Sequence, residues 1–297
     1  MHKIELLVTD FLRKVGKSTL QLQDEFYLEA SKNVDHYLRK MYEENPKRKF
    51  SLRLSSIGRP LCQQQMEQAE AQAVDDEWNF PLRMMYGAII ESLTVVIMKH
   101  AGVNIEEEQT HVKLAVNHIE HTEKPNIVEI SGTLDVVIDG RVYDIKSASS
   151  HSFTEKFKCY ESLKESDNFG YIEQLYGYAE AKGLPPGGWI VIDKSSGDFK
   201  VIEVPDNWKE DSSKSIVKIQ DNVNALLNKV EFKRQFEDRA EVVKKVPTGN
   251  RFISSPCTYC KFRYECWKGL QHKPSASSTA YDKPTRYYTV YNENTER

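Results

Sequence analysis

The sequence has no run approaching the roughly 18 consecutive apolar residues of a membrane span, and its N-terminus, MHKIELLVTDFLRK, lacks the apolar stretch and cleavage site of a secretory signal. Both absences predict an intracellular, cytoplasmic protein with no membrane partner. It also lacks a charge excess: 41 basic against 44 acidic residues leave a formal net charge of −3. That excludes a bulk-basic nucleic-acid binder, but phosphate contact requires only a local basic lining. No internal repeat is present, which excludes a repeat architecture. Gly16-Lys17-Ser18 invites a phosphate-loop reading, but Phe11 stands where that motif needs its first glycine. Cysteine is scarce, with five in 297 residues, and in a reducing compartment these are not disulfide staples. What remains is a chain with 39% hydrophobic residues, long enough for one large domain with appendages.

The most informative stretch is GTLDVVIDGRVYDIKS, residues 132–147. Asp139-Gly140 is a two-residue type I′ turn signal between β-rich runs, so the segment predicts a hairpin. The turn fixes the register, pairing Ile138 with Arg141, Val137 with Val142, Val136 with Tyr143 and Asp135 with Asp144. Directly opposed strand residues have Cβ atoms roughly 4.5–5.5 Å apart, where like charges destabilise a sheet. Side chains alternate along a strand, so Lys146 projects on the face that carries Asp144. A divalent cation between the aspartates would remove the remaining repulsion, because hard carboxylate oxygens suit Mg²⁺. Two carboxylates, a lysine and a metal form a hydrolytic site, the metal acidifying water and the ammonium stabilising charge on a phosphate. The hairpin taken alone is equally compatible with a solvated polar face.

Three cysteines cluster as Cys257-x2-Cys260-x5-Cys266 in SSPCTYCKFRYECW. Three thiolates need a fourth ligand for a closed zinc site or a four-cysteine iron–sulfur cluster. Cys62, near the start of a polar helix in LRLSSIGRPLCQQQ, is the preferred candidate. Cys159 lies in the amphipathic run FTEKFKCYESL, where a small buried hydrophobe is the ordinary role.

The other polar outliers fall on helices. Residues 84–101, MMYGAIIESLTVVIMKHA, read as a largely apolar helix carrying one acid, Glu91, which is costly there unless paired, metal-linked or on an exposed stripe. Residues 170–182 read as a helix with Gln174 and Tyr178 one turn apart. GGWIVIDKSSGDFKVIEV reads as a second hairpin, Trp208–Val243 as a charged helix, and the first fifty residues as one or two helices. The segment beyond Leu270 reads as a polar, partly disordered tail.

In this order the residues resemble the PD-(D/E)XK nucleases of the RecB type, and among them the iron–sulfur nucleases typified by the AddB nuclease domain and the CRISPR-associated exonucleases. The resemblance spans about Ser55 to Trp267. It is carried by Asp135, then Asp144-Ile145-Lys146, then Gln174-x3-Tyr178, bracketed by one cysteine upstream and three downstream. It implies an α/β, restriction-endonuclease-like core: a central mixed sheet flanked by helices, with the N- and C-terminal segments clasped by Cys62, Cys257, Cys260 and Cys266. The domains expected are an N-terminal helical region (1–50), the nuclease domain with its clasp (51–270) and the tail (271–297).

RecB-type nucleases usually carry a histidine ligand about four residues after a glycine on the first core helix. Here Gly87 is followed at that spacing by Glu91, as in phage lambda-type exonucleases. The resemblance implies that Glu91, Asp135, Asp144 and the Ile145 carbonyl bind Mg²⁺ or Mn²⁺, that Lys146 orients water, and that Gln174 and Tyr178 position the strand. Replacing imidazole by carboxylate makes Mg²⁺ at least as suitable as Mn²⁺. The cysteines would hold a 4Fe-4S cluster, with structural Zn²⁺ as the alternative; one cysteine facing a distant trio matches the iron–sulfur clasp of those nucleases. The expected activity is a metal-dependent DNA exonuclease acting on single strands or ends, with 5′ to 3′ polarity favoured by resemblance. Its setting would be recombination, repair or phage DNA degradation, with DNA and a recombination or replication protein as partners; a phage member would act in the bacterial host cell. An endonuclease and a non-catalytic DNA-binding scaffold are the alternatives.

Overall fold

Alternating apolar residues and two short turns build a five-stranded mixed sheet from β1 (Ile105–His118), β2 (Asn126–Ile138), β3 (Arg141–Ala148), β4 (Pro186–Asp193) and β5 (Phe199–Glu203), in that spatial order. The computed structural model describes residues 1–43, 50–74, 80–119, 126–275, 278, 281 and 283–292. Asp139 and Gly140 both take positive φ, 46° and 71°, as a type I′ turn requires. The ladder they start pairs Ile138 with Arg141, Val137 with Val142 and Val136 with Tyr143, the expected register. β3 and β4 run parallel, whereas β1–β2, β2–β3 and β4–β5 are antiparallel. A parallel pair needs a long crossover. Here it contains a π-helical turn (Ser152–Lys156) and two of the helices named next.

The helices are α1 (Lys3–Gly16), α2 (Asp24–Tyr42), α3 (Leu54–Ile57), α4 (Leu61–Gln68), α5 (Phe80–His100), α6 (Tyr160–Ser166), α7 (Tyr171–Lys182) and α8 (Trp208–Leu227), followed by the single turns α9 (Ser255–Thr258) and α10 (Arg263–Cys266). The chain divides into two compact units. The first joins Met1–Gly58 to Trp78–Asn228 and the second joins Arg59–Glu77 to Lys229–Arg297. This differs from the expected three-part division, because residues 59–77 belong with the C-terminal segment.

In the first unit, Ile4 and Val8 of α1 and Val95 and Met98 of α5 pack with Val136, Ile138, Tyr143, Ile145 and Ile190 of the sheet. Burying such side chains stabilises the fold by about 1.5–3 kcal/mol each before entropy is counted. Among the described residues α5 is the one helix long and apolar enough to cross a membrane, but Val95, Val96 and Met98 are buried inside the protein. α7 and α8 pack on β1, and α3 packs on α7. Gly132 on β2 makes room for α7: a Cβ there would lie 2.6 Å from the Tyr178 ring and 2.9 Å from Leu54 Cβ.

The second unit contains α4 and a four-stranded antiparallel sheet in the order β6 (Arg239–Val243), β7 (Val246–Phe252), β9 (Thr285–Val290), β8 (Gln271–Pro274). Two expectations are corrected here. The helix predicted over Trp208–Val243 ends at Leu227, because its buried stripe of Ile219, Val223 and Leu226 runs out and Lys229 turns to positive φ. Arg239–Val243 pairs with β7 instead. The tail predicted to be polar and partly disordered supplies β8 and β9, with Tyr288 fully buried and its phenol donating to Glu241 Oε1 at 2.8 Å. Residues 293–297 of that tail lie outside the described residues. In the first unit the amphipathic run FTEKFKCYESL is divided by extended backbone at Cys159 (φ −155°, ψ 177°), which separates the π-turn from α6.

Candidate active site and cysteine cavity

All six residues singled out for catalysis lie in the first unit: Glu91 on α5, Asp135 on β2, Asp144 and Lys146 on β3, and Gln174 and Tyr178 on α7. The β2–β3 ladder stops at Val136 and Tyr143, so the expected fourth pair, Asp135 with Asp144, is not a ladder pair. The Asp135 carboxylate replaces the backbone there, its Oδ2 accepting from the Ile145 N–H at 2.8 Å. Its other oxygen accepts from the Gln109 amide at 3.3 Å. Asp135 is thereby fixed from two sides, and the strands part where the carboxylates meet.

Asp144 is fully buried. Lys146 Nζ donates to its Oδ1 at 2.8 Å. The same ammonium is 2.8 Å from Oδ2, yet Oδ2 has no hydrogen bond of acceptable geometry. Burial raises the Asp144 carboxyl to about 7, with Lys146 opposing and Asp135 adding to the rise. Lys146 bonds Asp144, while the Asp135 carboxylate is bonded by neutral donors. Burial, then the negative charge of Asp135, raise the Glu91 carboxyl to about 8; Lys146 opposes that and Asp144 adds to it. Burial would lower Lys146, but Asp144, Asp135 and Glu91 together hold it well above the usual ammonium range, so it remains a cation. The arrangement is a set of carboxyl oxygens around one fixed ammonium, a donor set of the kind that suits a hard divalent cation and can stabilise a developing oxyanion.

On α7 the Gln174 amide donates to the Tyr178 hydroxyl at 3.4 Å, and both side chains are buried. Burial, Asp135 and Asp144 raise the Tyr178 phenol far above its usual value, so it stays a donor. Three further participants escaped the sequence reading. Gln109 sits in β1 at φ 47°, a conformation uncommon for a side-chain-bearing residue, and its carbonyl oxygen accepts from Lys40 Nζ at 3.2 Å. Tyr37 on α2 is raised by burial and by Asp135, Glu91 and Glu108. Tyr171 lies under Lys146, its ring centroid 5.2 Å from Nζ. Tyr171 could have been found, since it is three residues before Gln174 on one helix face. Nothing in the sequence signals the backbone of Gln109.

In the second unit Cys62, Cys257, Cys260 and Cys266 line one cavity with Met66, Phe262 and Trp267. Cys62 opens α4, its N–H donating to Gln235 Oε1 at 3.2 Å. Cys257 is on α9, Cys260 in the turn after it, and Cys266 closes α10. Burial raises the thiols of Cys62 and Cys266, and that of Cys260 to about 11. Such thiols become thiolates only against a compensating cation. Cys159 is elsewhere, capping α6 with its sulfur 3.3 Å from Ser162 Oγ. All four cysteines belong to one unit, Cys62 in residues 59–77 and the other three in the C-terminal segment, so they do not join the two ends of the chain around the core sheet as expected. Among the described residues no three His, Cys, Asp or Glu side chains are drawn together tightly enough to hold a metal ion.

No protein-family model matches the chain, and no curated protein matches it. Its fold is similar to that of a solved structure, the crystal structure of SSO0001, with a TM-score of 0.43 and 14% identity over 82% of this chain and 97% of that one.

The shared ammonium makes stability depend on pH in a defined sense. Since the Glu91 carboxyl is raised in the folded state, folding binds a proton that the unfolded chain releases near its ordinary value of 4.5, so stability falls as pH rises from about 5 to 8. After removal of divalent cations, Glu91→Gln should be more stable than the unmodified protein at pH 8 by about 2 kcal/mol or more, and nearly equal to it at pH 4.5. Urea melts at the two pH values measure this; equal stabilities at pH 8 contradict the assignment.

Proposed function

We propose that this protein is a metal-dependent deoxyribonuclease of the PD-(D/E)XK type, acting as an exonuclease on single strands or ends. The observation that carries the reading is the buried Asp144 carboxyl, with Lys146 Nζ 2.8 Å from each of its oxygens, gathered with Asp135 and Glu91 around that one ammonium. The donors fit a hard divalent cation: Asp135, Asp144, Glu91 and the Ile145 carbonyl are all oxygen ligands. Bound there, Mg²⁺ or Mn²⁺ would acidify a water and polarise a phosphoryl oxygen.

The chain's own residues supply the rest. Asp135 keeps its orientation by accepting from Ile145 N–H and Gln109. Lys146, a permanent cation on the floor of the site, orients the attacking water and stabilises charge developing on the phosphate. Gln174 and Tyr178, both protonated donors, hold the nucleic acid backbone. A role as a non-catalytic scaffold is not favoured, because three acids gathered around a single ammonium inside the fold cost stability unless a ligand shares their charge.

For the cysteines we propose a 4Fe-4S cluster of structural role, for which four thiols on one apolar cavity are the required donor count. Zinc has the same requirement but usually draws ligands as two close pairs. Anaerobically purified protein should be brown and carry iron and sulfide in near-equal amounts, and Cys62→Ala should speed hydrogen exchange in residues 59–77 and 229–292 while Asp144→Ala leaves the colour unchanged. A colourless protein with stoichiometric zinc contradicts this.

End-labelled DNA tests the activity. Cleavage should require Mg²⁺ or Mn²⁺ and fall at least about a hundredfold in Lys146→Ala. Covalently closed circular single strands should resist. Cation-independent cleavage, or no loss in the variant, sinks the hydrolytic reading, and cutting of the circles turns it into an endonuclease.

A further inference from the structure

The loop before α7 carries an aromatic array that the hydrolytic centre does not use. Phe157, Tyr171 and Phe169 form a near-parallel series: Phe157 and Tyr171 have centroids 5.9 Å apart at 25°, and Phe169 and Tyr171 5.6 Å apart at 22°. Burial grades outward along it, with Phe157 in the core, Tyr171 half-buried and Phe169 38% exposed. What sets Phe169 apart is its place, at the solvent end of a stack of three rings. Its inner neighbour Tyr171 lies under the ammonium of Lys146 at 5.2 Å, so the series begins at the candidate active site.

The outer ring is held rigidly. Asp167 Oδ1 accepts from the N–H groups of Phe169 (3.0 Å) and Gly170 (2.9 Å), and Oδ2 from that of Ile172 (2.8 Å). Gly170, at φ 77°, makes the left-handed turn that puts Phe169 outside the first turn of α7. The cation beside it is equally distinctive. Lys156 Nζ lies 4.4 Å from the Phe169 centroid and 5.4 Å from that of Tyr171, where burial lowers its pKa and the charge of Asp167 opposes that. A fixed exposed ring with an ammonium available for phosphate is the combination that binds unpaired bases, since every base has a face to stack and a backbone charge to neutralise.

We infer that Phe169, stacked on Tyr171 and flanked by Lys156, is a base-stacking platform that receives an unpaired nucleotide beside the hydrolytic centre, making single-stranded nucleic acid the substrate class. A paired and stacked duplex base has no free face to offer, so the platform selects frayed or single-stranded ends. The inference rests on the nuclease reading for its place in catalysis, but not for the binding itself.

Binding without cleavage separates the two. In the absence of divalent cations, a single-stranded oligonucleotide containing 2-aminopurine reports stacking by loss of fluorescence. The intact protein should quench the probe and bind it about tenfold more tightly than does Phe169→Ala, with Phe169→Trp restoring both. A strand with abasic sites should bind both proteins alike, and a duplex should show no quenching. With Mg²⁺ or Mn²⁺, Phe169→Ala should raise KM for single strands about tenfold with kcat little changed. Equal quenching and affinity for the intact protein and Phe169→Ala, or no quenching by the intact protein, overturns the platform whether or not cleavage occurs. Phe169-dependent quenching in a protein that cleaves nothing leaves the platform standing and removes the nuclease reading.

Discussion

The arrangement of the site depends on one hydrogen bond, the 2.8 Å contact in which the Asp135 carboxylate accepts from the backbone N–H of Ile145. A sheet ladder would give that N–H a carbonyl partner. Here a side chain takes the carbonyl's place, the two strands part beyond Val136 and Tyr143, and the next residue of each strand carries a carboxylate into the gap. The tight Asp139-Gly140 turn sets the register that brings this about. A slip of one residue would turn Asp144 and Lys146 to the opposite face, which carries Tyr143 and Ile145 into the apolar core.

Around that gap the fold concentrates negative charge and then declines to neutralise it fully. Lys146 bonds Asp144, and Glu91, raised by burial and by Asp135 against the opposing charge of Lys146, keeps its proton up to about pH 8. Buried acids arranged this way cost stability and are retained where a ligand repays them. The same surroundings keep Tyr178 and Lys146 protonated as donors, while Glu91 and Asp144, raised to about 8 and about 7, give up their protons only near neutral pH. α7 ties the two halves of the site together, presenting Gln174 and Tyr178 inward and starting at the aromatic array of Tyr171 and Phe169.

Much of this was legible in the sequence where local chemistry determines local geometry. An Asp-Gly turn between β-rich runs fixed three pairs and placed Asp144 beside Lys146. Helical spacing placed Gln174 against Tyr178, and the cysteine spacing drew Cys257, Cys260 and Cys266 to one cavity with Cys62. The failures share a cause as well. Segment 229–243 was read as continuing the helical spacing before it and the tail by its composition, whereas Arg239–Val243 pairs with β7 and the tail strands pair with each other and with β7 around the buried Glu241, a partner choice no local pattern encodes. β1 alternates through Val112, Leu114 and Val116, but that stretch went unread, and with it Gln109, whose positive φ no residue type in the stretch signals. The division into units was missed for the same reason: residues 59–77 join the C-terminal segment through long-range packing.

The central claim is that the parted strands form a divalent-cation site. Crystals of the full chain grown with Mn²⁺ and measured at wavelengths on either side of the manganese absorption edge test it without reference to activity. The account predicts an anomalous peak bridging Asp135 and Asp144, within coordination distance of Glu91, that is absent from Asp144→Asn crystals. A peak bound only at surface acids, with Lys146 still closed on Asp144 and the gap empty, would contradict it.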